Sequence, residues 1–271
     1  MRIDDYLLKA GISLNKNKIV LPEICRRVKI DVGLSYNAGQ SARWLEEDPN
    51  LVVFGFEPVE SNLNIINNTQ EQSIYKYLRD RMFVLPVALG SSTGVFSMYV
   101  TKVDTGRSSL LKPLNFDVDH IERVSQFTLN EFLDYFPFNK IPRIDYLKTD
   151  CQGSDIEVLK GASRYLDRIA VITTECDDVA YELSNNSFFE VNKFLVKNGF
   201  TCTNSIFHGD PNNRVLKSRG ITSLKARIPV SFKHFIKRIL RMNSKSEDPT
   251  FYNLRFIDFI RKGEISYYQK G

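Results

Sequence analysis

Residues 28–47 have the sequence VKIDVGLSYNAGQSARWLEE, in which a short β-branched run is followed by a glycine-containing turn and a helix-compatible stretch. The run predicts a strand at Val28–Val32, and the residues after the turn predict a helix at Gly39–Glu47. Glycines permit a tight turn, and the N-terminus of the following helix offers free N–H groups to an anion. Because such turns are common, this one alone indicates a ligand site only weakly.

The same alternation of short strands and longer helical stretches continues along the chain. It predicts a doubly wound α/β fold, in which helices cover a parallel sheet. Further strands are expected at Val52–Glu57, Phe83–Ala88, Ile144–Thr149, Ala170–Glu175 and Phe200–Ile206, and helices at Ser61–Arg79, Ser154–Tyr165 and Phe188–Asn198. Two β-like runs, Val95–Val100 and Ile121–Thr128, predict an antiparallel excursion.

We expect four segments along the chain. Residues 1–27 predict an amphipathic helical preface, and residues 28–210 form the main α/β domain. Residues 211–249 form a basic insertion, and residues 250–271 supply a last strand and a tail, with Phe251–Ile257 as the returning seventh strand.

The gross composition is that of a folded globular chain. Of its 271 residues, 42 % are hydrophobic and 25 % are charged, which are ordinary shares. No run approaches the roughly 20 apolar residues of a membrane-spanning helix, and no secretory signal is visible, so we expect a cytoplasmic protein. The four cysteines are far apart and form no CxxC or Cys/His cluster, so neither a metal site nor a disulfide is expected.

The ends of the predicted strands carry the polar residues that matter for function, because ligands of such sheets bind outside the carboxyl ends of the strands. Glu57 ends an apolar strand roughly 25 residues after the first turn, where a carboxylate can accept hydrogen bonds from both ribose hydroxyls of a nucleoside cofactor. This spacing does not separate a nicotinamide cofactor from other nucleosides. The alternative is a solvated glutamate at a strand end.

Two further strand ends carry charged groups. Lys148 and Asp150 alternate with apolar neighbours at the end of one strand, and Glu175 ends the next. A charged group at the end of a buried strand is costly unless it has a partner or a ligand. Structural ion pairing is the competing account of these acids.

In this order and spacing, the segments resemble the FkbM-type methyltransferases. The motifs that carry the resemblance are Asp31-Val32-Gly33 with Gly39-Gln40-Ser41, Phe56-Glu57-Pro58, Ala88-Leu89-Gly90 with Gly94, Arg107-Ser108-Ser109-Leu110, Thr128-Leu129, and Leu147-Lys148-Thr149-Asp150 through Gly153 to Glu157-Val158-Leu159-Lys160-Gly161-Ala162. The resemblance covers roughly residues 28–206. The last motif is the most specific.

The resemblance implies a seven-stranded, Rossmann-like class I methyltransferase sheet and S-adenosylmethionine as the methyl donor. It assigns cofactor binding to Asp31, Gly33, Ser35, Asn37 and Gly39 around the methionyl part, Glu57 and Pro58 at the ribose, Ala88 and Leu89 at the adenine, and Asp150 at the sulfonium. Ser108 and Ser109 resemble the family's serine turn at the mouth of the site and are assigned to the substrate. Gln152 and Asp155 stand where the family commonly has glutamates.

Methyl transfer to a hydroxyl requires a base for the acceptor proton. Asp150 and Glu175 are the carboxylate candidates, because two carboxylates held close together raise one pKa toward neutrality. His208 is a third candidate, since its ordinary pKa suits a base, although a surface histidine without a role is an alternative. Family members often methylate sugars or secondary metabolites, so the resemblance implies a sugar hydroxyl as acceptor.

Positive charge is concentrated between Asp210 and Glu247, where ten basic residues and no acidic residue occur, against a net charge of +5 for the chain. Three interpretations remain open: a packed helix with a solvated basic face, a peripheral membrane contact that reaches a lipid-linked glycan, and recognition of a phosphorylated acceptor such as a nucleotide sugar. An RNA methyltransferase is a rival function, but the segment lacks the aromatics and glycines of RNA modules, so nucleic acid is not the expected partner.

Two further rivals follow from the fold. A non-catalytic interaction module with a methyltransferase fold is disfavoured by the presence of Glu57, Asp150 and the glycines. A nicotinamide oxidoreductase is disfavoured because the first turn lacks the pattern G-x-G-x-x-G.

Overall fold

The computed structural model describes residues 2–176, 180–203, 248–256 and 259. The strands are β1 (Leu14–Asn15), β2 (Lys18–Ile19), β3 (Arg27–Val32), β4 (Leu51–Phe56), β5 (Met82–Leu85), β6 (Ala88–Leu89), β7 (Gly94–Thr101), β8 (Val118–Phe127), β9 (Ile144–Thr149), β10 (Ile169–Thr174), β11 (Phe200–Thr203) and β12 (Thr250–Asn253). The α-helices are α1 (Ile3–Lys9), α2 (Gly39–Glu47), α3 (Glu60–Asn68), α4 (Leu129–Asp134), α5 (Asp155–Gly161) and α6 (Phe188–Lys197). Short 3₁₀ turns occupy Tyr75–Tyr77, Thr105–Arg107, Leu166–Arg168 and Leu254–Phe256.

A mixed seven-stranded sheet forms the centre of the fold, in the order β11-β12-β10-β9-β3-β4-β5. The strands β10, β9, β3, β4 and β5 pair in parallel, whereas β12 pairs antiparallel with both β10 and β11. All six residues of β4 are buried, as expected for a parallel strand that is covered on both faces. The predicted α/β fold with a seven-stranded sheet and flanking helices is therefore confirmed.

Aromatic side chains fill both layers between the sheet and its helices. On one face, the ring of Phe54 stacks on Phe83 and meets the edge of Phe132 at centroid distances of 5.6 and 5.2 Å. On the other face, Trp44 of α2 packs edge-on against Tyr146 at 5.1 Å. These contacts hold α2 and α4 on opposite sides of the sheet.

The chain leaves the sheet after β5 to form a second, three-stranded sheet in the order β6-β8-β7. The predicted strand Phe83–Ala88 is wrong at its end, because β5 stops at Leu85 and Ala88–Leu89 pairs with β8. Pro86 lies between the two strands and has no N–H to continue the first ladder. The predicted antiparallel pair is confirmed, since β7 and β8 pair over eight positions.

The first 27 residues differ from the expected helical preface. Helix occupies only Ile3–Lys9 and buries Ile3 and Leu7. The hairpin of β1 and β2 follows, with Leu14 opposite Ile19. Its two turn residues, Lys16 and Asn17, have φ angles of +49° and +58°, which is the geometry of the two-residue turns that suit the twist of a hairpin.

Helix α3 is shorter than the predicted Ser61–Arg79 and ends at Asn68. The side chains of Asn67 and Asn68 donate to the carbonyls of Leu63 and Asn64, at 2.8 and 2.9 Å. Asparagine side chains that bond to nearby backbone compete with helix propagation. The last predicted strand, Phe251–Ile257, also ends earlier than expected, because β12 covers Thr250–Asn253 and a 3₁₀ turn follows it. At this end the side chain of Asn253 accepts the backbone N–H of Arg255.

His208 and residues 211–247, which include most of the expected basic insertion, lie outside the described residues. Within the described part of the chain, no helix has both the length and the apolar character needed to cross a membrane.

The turn after β3 lies directly against the end of β9. Gly33 has a φ angle of +82°, and a Cβ at this position would lie 2.1 Å from the carbonyl oxygen of Asp150. A side chain here would therefore add steric overlap with rigid backbone to the strain of left-handed backbone.

We predict that Gly33→Ala lowers the free energy of unfolding by about 3 kcal/mol or more, because overlap and backbone strain add. Gly199→Ala is the matched control, since Gly199 has a φ angle of +86° but no atom lies within 4 Å of the position that a Cβ would take there. It should cost only about 1 kcal/mol. Urea unfolding of both variants measures the difference, and equal losses would contradict the packing argument.

Candidate active site

A cavity opens at the carboxyl ends of β3, β4 and β9, and we call it the strand-end cavity. Eight of the residues assigned from the sequence line it: Gly33, Ser35, Glu57, Pro58, Ala88, Leu89, Ser108 and Asp150. Residues to which the sequence assigned no role complete the wall: Val32, Phe56, Val59, Val87, Met98, Thr105, Gly106, Leu110, Cys151 and Ser154. The enclosed volume is about 70 Å³.

Glu57 lies at one side of the strand-end cavity and is 3 % exposed. Its Oε1 accepts the backbone N–H of Val59 and its Oε2 accepts that of Ser35, both at 2.9 Å. Burial raises the pKa of Glu57 to about 7, although hydrogen bonds from Val59, Asn62 and Ser35 oppose the shift. The carboxylate is thus held rigidly by two loops, and its protonation changes near neutral pH.

Asp150 lines the cavity from the end of β9, and 36 % of its side chain is exposed. The ammonium group of Lys148 lies 3.3 Å from Oδ2, and the side-chain amide of Gln152 donates to Oδ1 at 2.9 Å. Burial by itself would lower the pKa of Lys148, but the carboxylates of Asp31 and Asp150 raise it above its ordinary value. Lys148 is therefore a cation beneath the cavity.

Asp31 does not line the strand-end cavity and is 1 % exposed. Its Oδ2 accepts from the Ser41 hydroxyl at 2.7 Å, and its Oδ1 lies 3.5 Å from Lys148 Nζ. Burial raises the pKa of Asp31, and Lys148 and Ser41 oppose that shift. The structure thus places Asp31 in an internal ion pair, whereas the resemblance had assigned it to the methionyl part of the cofactor.

Asn37 and Gly39 also lie away from the cavity wall. The exposed Asn37 accepts the backbone N–H of Gly39 at 3.1 Å through its own side chain, so it closes the turn before α2. The contribution of these two residues in this structure is to the geometry of the loop.

The serine turn divides between two environments. Ser108 lines the cavity, and its hydroxyl accepts the backbone N–H of Thr101 at 3.2 Å. Ser109 is 1 % exposed and lies outside the cavity, where its hydroxyl donates to the carbonyl of Gln152 at 2.8 Å. Of the two serines, only Ser108 faces the cavity.

Glu175 follows β10, and its backbone N–H donates to Thr149 at 3.1 Å. The amide of Gln152 joins Glu175 to Asp150, with Nε2 lying 3.0 Å from Glu175 Oε2 and 2.9 Å from Asp150 Oδ1. The hypothesis that the two carboxylates act on each other directly is not matched by this geometry, because a neutral donor bridges them. The third candidate base, His208, lies outside the described residues.

Sequence reasoning missed Asn62 and Thr105. Asn62 is 1 % exposed, hydrogen-bonds to Glu57, and accepts the Thr105 hydroxyl at 2.6 Å. The pair ties the turn at Thr105–Arg107 to the carboxylate of Glu57. Neither residue carries a local sequence signal, since a polar side chain early in a helix is ordinarily solvated.

No group of three or more His, Cys, Asp or Glu side chains that could hold a metal ion occurs among the residues the structure describes.

Comparison with known proteins identifies the family. The model of the methyltransferase FkbM domain matches residues 31–202, which is more than half of the chain. The chain belongs to the FkbM methyltransferase family. This confirms the resemblance inferred from the strand-end motifs.

The chain is similar to a solved structure, that of the methyltransferase FkbM from Methylobacillus flagellatus KT. The two share 12 % sequence identity with a TM-score of 0.44, and the similarity covers 90 % of this chain and 47 % of that one. This FkbM chain thus spans about half the length of the solved relative. A search of curated proteins found no match.

We predict that stability falls as the pH rises from 5 to 8. Burial raises the pKa of Glu57 and Asp155 to about 7 and that of Asp145 to about 6, above their ordinary values of 4.5 and 3.8. Between these limits the three carboxyl groups bind more protons in the folded state than in the unfolded state, so raising the pH favours unfolding, by roughly 2 kcal/mol for a group such as Glu57. Burial lowers the pKa of Lys29 to about 8, which opposes this loss only near the upper limit.

Urea unfolding at pH 5 and pH 8 measures this loss. Glu57→Gln should reduce it, because the titrating group is removed, while Glu60→Gln on the exposed first turn of α3 should follow the wild type. An unchanged pH dependence in Glu57→Gln would show that Glu57 does not titrate in this range.

Proposed function

We propose that this FkbM family member transfers the methyl group of S-adenosylmethionine to a hydroxyl of a small molecule, with a sugar as the expected acceptor. The observation that carries the proposal is that Glu57 and Asp150 both line one cavity at the carboxyl ends of the strands. That is the place where sheets of this type bind ligands. We also assign the seven-stranded sheet to the Rossmann-like class I methyltransferase architecture, which its doubly wound order supports.

The residues of the strand-end cavity fit the parts of this cofactor. Glu57 provides fixed carboxylate oxygens for the two ribose hydroxyls, as the acidic residue does in other nucleoside sites. Val87, Ala88 and Leu89 form an apolar wall against which an adenine ring can pack. The absence of a Cβ at Gly33 brings the backbone close to the ligand.

Asp150 completes the fit at the other side of the cavity. S-adenosylmethionine supplies an electrophilic methyl group on a positively charged sulfonium. The carboxylate of Asp150 lines the cavity and attracts such a cation. Ser108 lies on the same wall and can donate a hydrogen bond to an acceptor.

We infer that the turn at Thr105–Arg107 shifts when the cofactor enters. Nucleoside-sized ligands occupy pockets of roughly 300 Å³ or more, whereas the strand-end cavity encloses about 70 Å³. Thr105 and Gly106 are partly exposed residues of its wall, so an outward shift of this turn widens the cavity at the cost of the hydrogen bond between Thr105 and Asn62.

Asp150 and Glu175 are the proposed bases for the acceptor proton, with His208 as the third candidate. An in-line displacement needs the acceptor oxygen close to the methyl group and a proton acceptor within hydrogen-bond reach. The two strand-end carboxylates lie next to each other, joined through Gln152. A phosphorylated or lipid-linked sugar would be the acceptor if the basic residues 211–246 contribute to recognition.

We predict that the wild-type protein binds S-adenosylhomocysteine and that Glu57→Ala weakens binding at least tenfold, because two hydroxyl contacts to a buried carboxylate are lost. Isothermal titration calorimetry measures both affinities. Glu60→Ala is the matched control, since it removes an exposed carboxylate three residues away and should bind like the wild type.

The outcomes separate the alternatives. Loss of binding in Glu57→Ala alone, with circular dichroism showing a folded variant, supports the cofactor site and justifies a screen of sugar and phosphosugar acceptors. A folded wild-type protein that binds neither S-adenosylhomocysteine nor S-adenosylmethionine would contradict the proposal and favour a non-catalytic interaction module.

A further inference from the structure

Gln152 lies in the loop after β9, and its side chain hydrogen-bonds to three polar side chains near the strand ends. Its amide nitrogen donates to Asp150 Oδ1 at 2.9 Å and to Glu175 Oε2 at 3.0 Å. Its amide oxygen accepts the hydroxyl of Tyr181 at 2.7 Å. Both amide hydrogens thus go to carboxylates, and the amide oxygen faces a donor.

This pattern determines which way the amide points. A flipped amide would place its oxygen against two carboxylate oxygens and its nitrogen against the tyrosine hydroxyl, which is also close to the carbonyl of Arg107 at 2.9 Å. Because the Tyr181 hydroxyl can accept as well as donate, the repulsion between the amide oxygen and the two carboxylates is what disfavours the flipped orientation.

The backbone of Gln152 is held as firmly as its side chain. Its φ angle is +51°, in the left-handed region that non-glycine residues rarely adopt. The hydroxyl of Ser109 donates to its carbonyl at 2.8 Å. Contacts from two other segments of the chain therefore support a strained residue, which is common near functional sites.

The contacts of Asp150 show what this support achieves. Lys148 lies 3.3 Å from Oδ2 and is also 3.5 Å from Asp31, beneath the cavity. Lys148 alone would draw the carboxylate of Asp150 toward the interior. The hydrogen bond from Gln152 to Oδ1 acts against this pull and keeps the partly exposed carboxylate at the cavity wall.

We infer that Gln152 is a positioning residue that holds the carboxylate of Asp150 in the strand-end cavity, where it faces the sulfonium of S-adenosylmethionine. The inference rests on the proposed function. It concerns the charge on the sulfur, and not the binding of the nucleoside. Gln152 therefore raises the affinity for S-adenosylmethionine, whose sulfur is charged, relative to that for S-adenosylhomocysteine, whose sulfur is neutral.

The ratio of the two affinities tests this role, because the two ligands differ at the sulfur and share the nucleoside and methionyl parts. In Gln152→Ala, and in Gln152→Met, which keeps the side-chain volume without its donors, the preference for S-adenosylmethionine should fall about fivefold. Asp150→Asn, which removes the charge itself, should lower the ratio at least as much. Calorimetry with each ligand at one pH and one salt concentration provides the values.

Asn253→Ala is the matched structural control. The buried amide of Asn253 also donates two hydrogen bonds, to the carbonyls of Leu166 and Ile169 at 3.1 and 2.9 Å, but at the amino-terminal end of β10, whereas the strand-end cavity lies at the carboxyl ends of the strands. Its loss should lower stability and leave the affinity ratio unchanged.

Each outcome decides a different question. A lower ratio in the Gln152 and Asp150 variants, with an unchanged ratio in Asn253→Ala, supports the inference. A wild-type ratio in a folded Gln152→Ala or Gln152→Met variant overturns it and makes Gln152 a structural bridge between loops, while the cofactor site stands. A wild-type protein that binds neither ligand overturns the proposed function and the inference with it.

Discussion

The backbone hydrogen-bond ladder of the parallel sheet continues one residue past the strands, and the candidate site depends on this continuation. Gly33 donates to Phe56, Glu57 to Leu85, Asp150 to Val32 and Glu175 to Thr149, at 3.0 to 3.1 Å. Each of these residues therefore leaves its strand at a position that the neighbouring strand determines. Because the sheet is buried on both faces, these four residues are held rigidly at the carboxyl ends of the strands and do not belong to free loops.

The close approach of Gly33 to Asp150 imposes a second constraint on the same edge. With only 2.1 Å available for a Cβ, the turn after β3 lies against the end of β9, and Lys148 reaches the carboxylates of both strands. The buried ion pair and the cavity above it are thus two parts of one arrangement. Lys148 lies between Asp31 and Oδ2 of Asp150, and the other oxygen of Asp150, Oδ1, accepts the hydrogen bond from Gln152.

The sequence was sufficient for those features that depend on local pattern. The strand Ile144–Thr149 and the helix Gly39–Glu47 agree with the structure at both ends, because their boundaries coincide with local signals in the sequence, a glycine turn before the helix and a polar strand end at Asp150. Features that depend on contacts between distant segments could not be predicted. The pair of Thr105 and Asn62 joins positions 43 residues apart, and the burial of Asp31 follows from the placement of α2 over β3. The turn at Lys16 and Asn17 depends on positive φ angles that these residue types do not require.

The two acidic groups of the strand-end cavity differ in a way that suits the two ends of one ligand. Glu57 is almost fully buried and accepts only neutral donors, and burial raises its pKa to about 7. Such a group interacts well with neutral hydroxyls, whether it is protonated or not. Asp150 is partly exposed and lies beside the cation Lys148. A carboxylate of this kind attracts a positive charge. The difference in environment, and not the residue type, therefore supports the proposed orientation of a ligand that carries a diol and a cation.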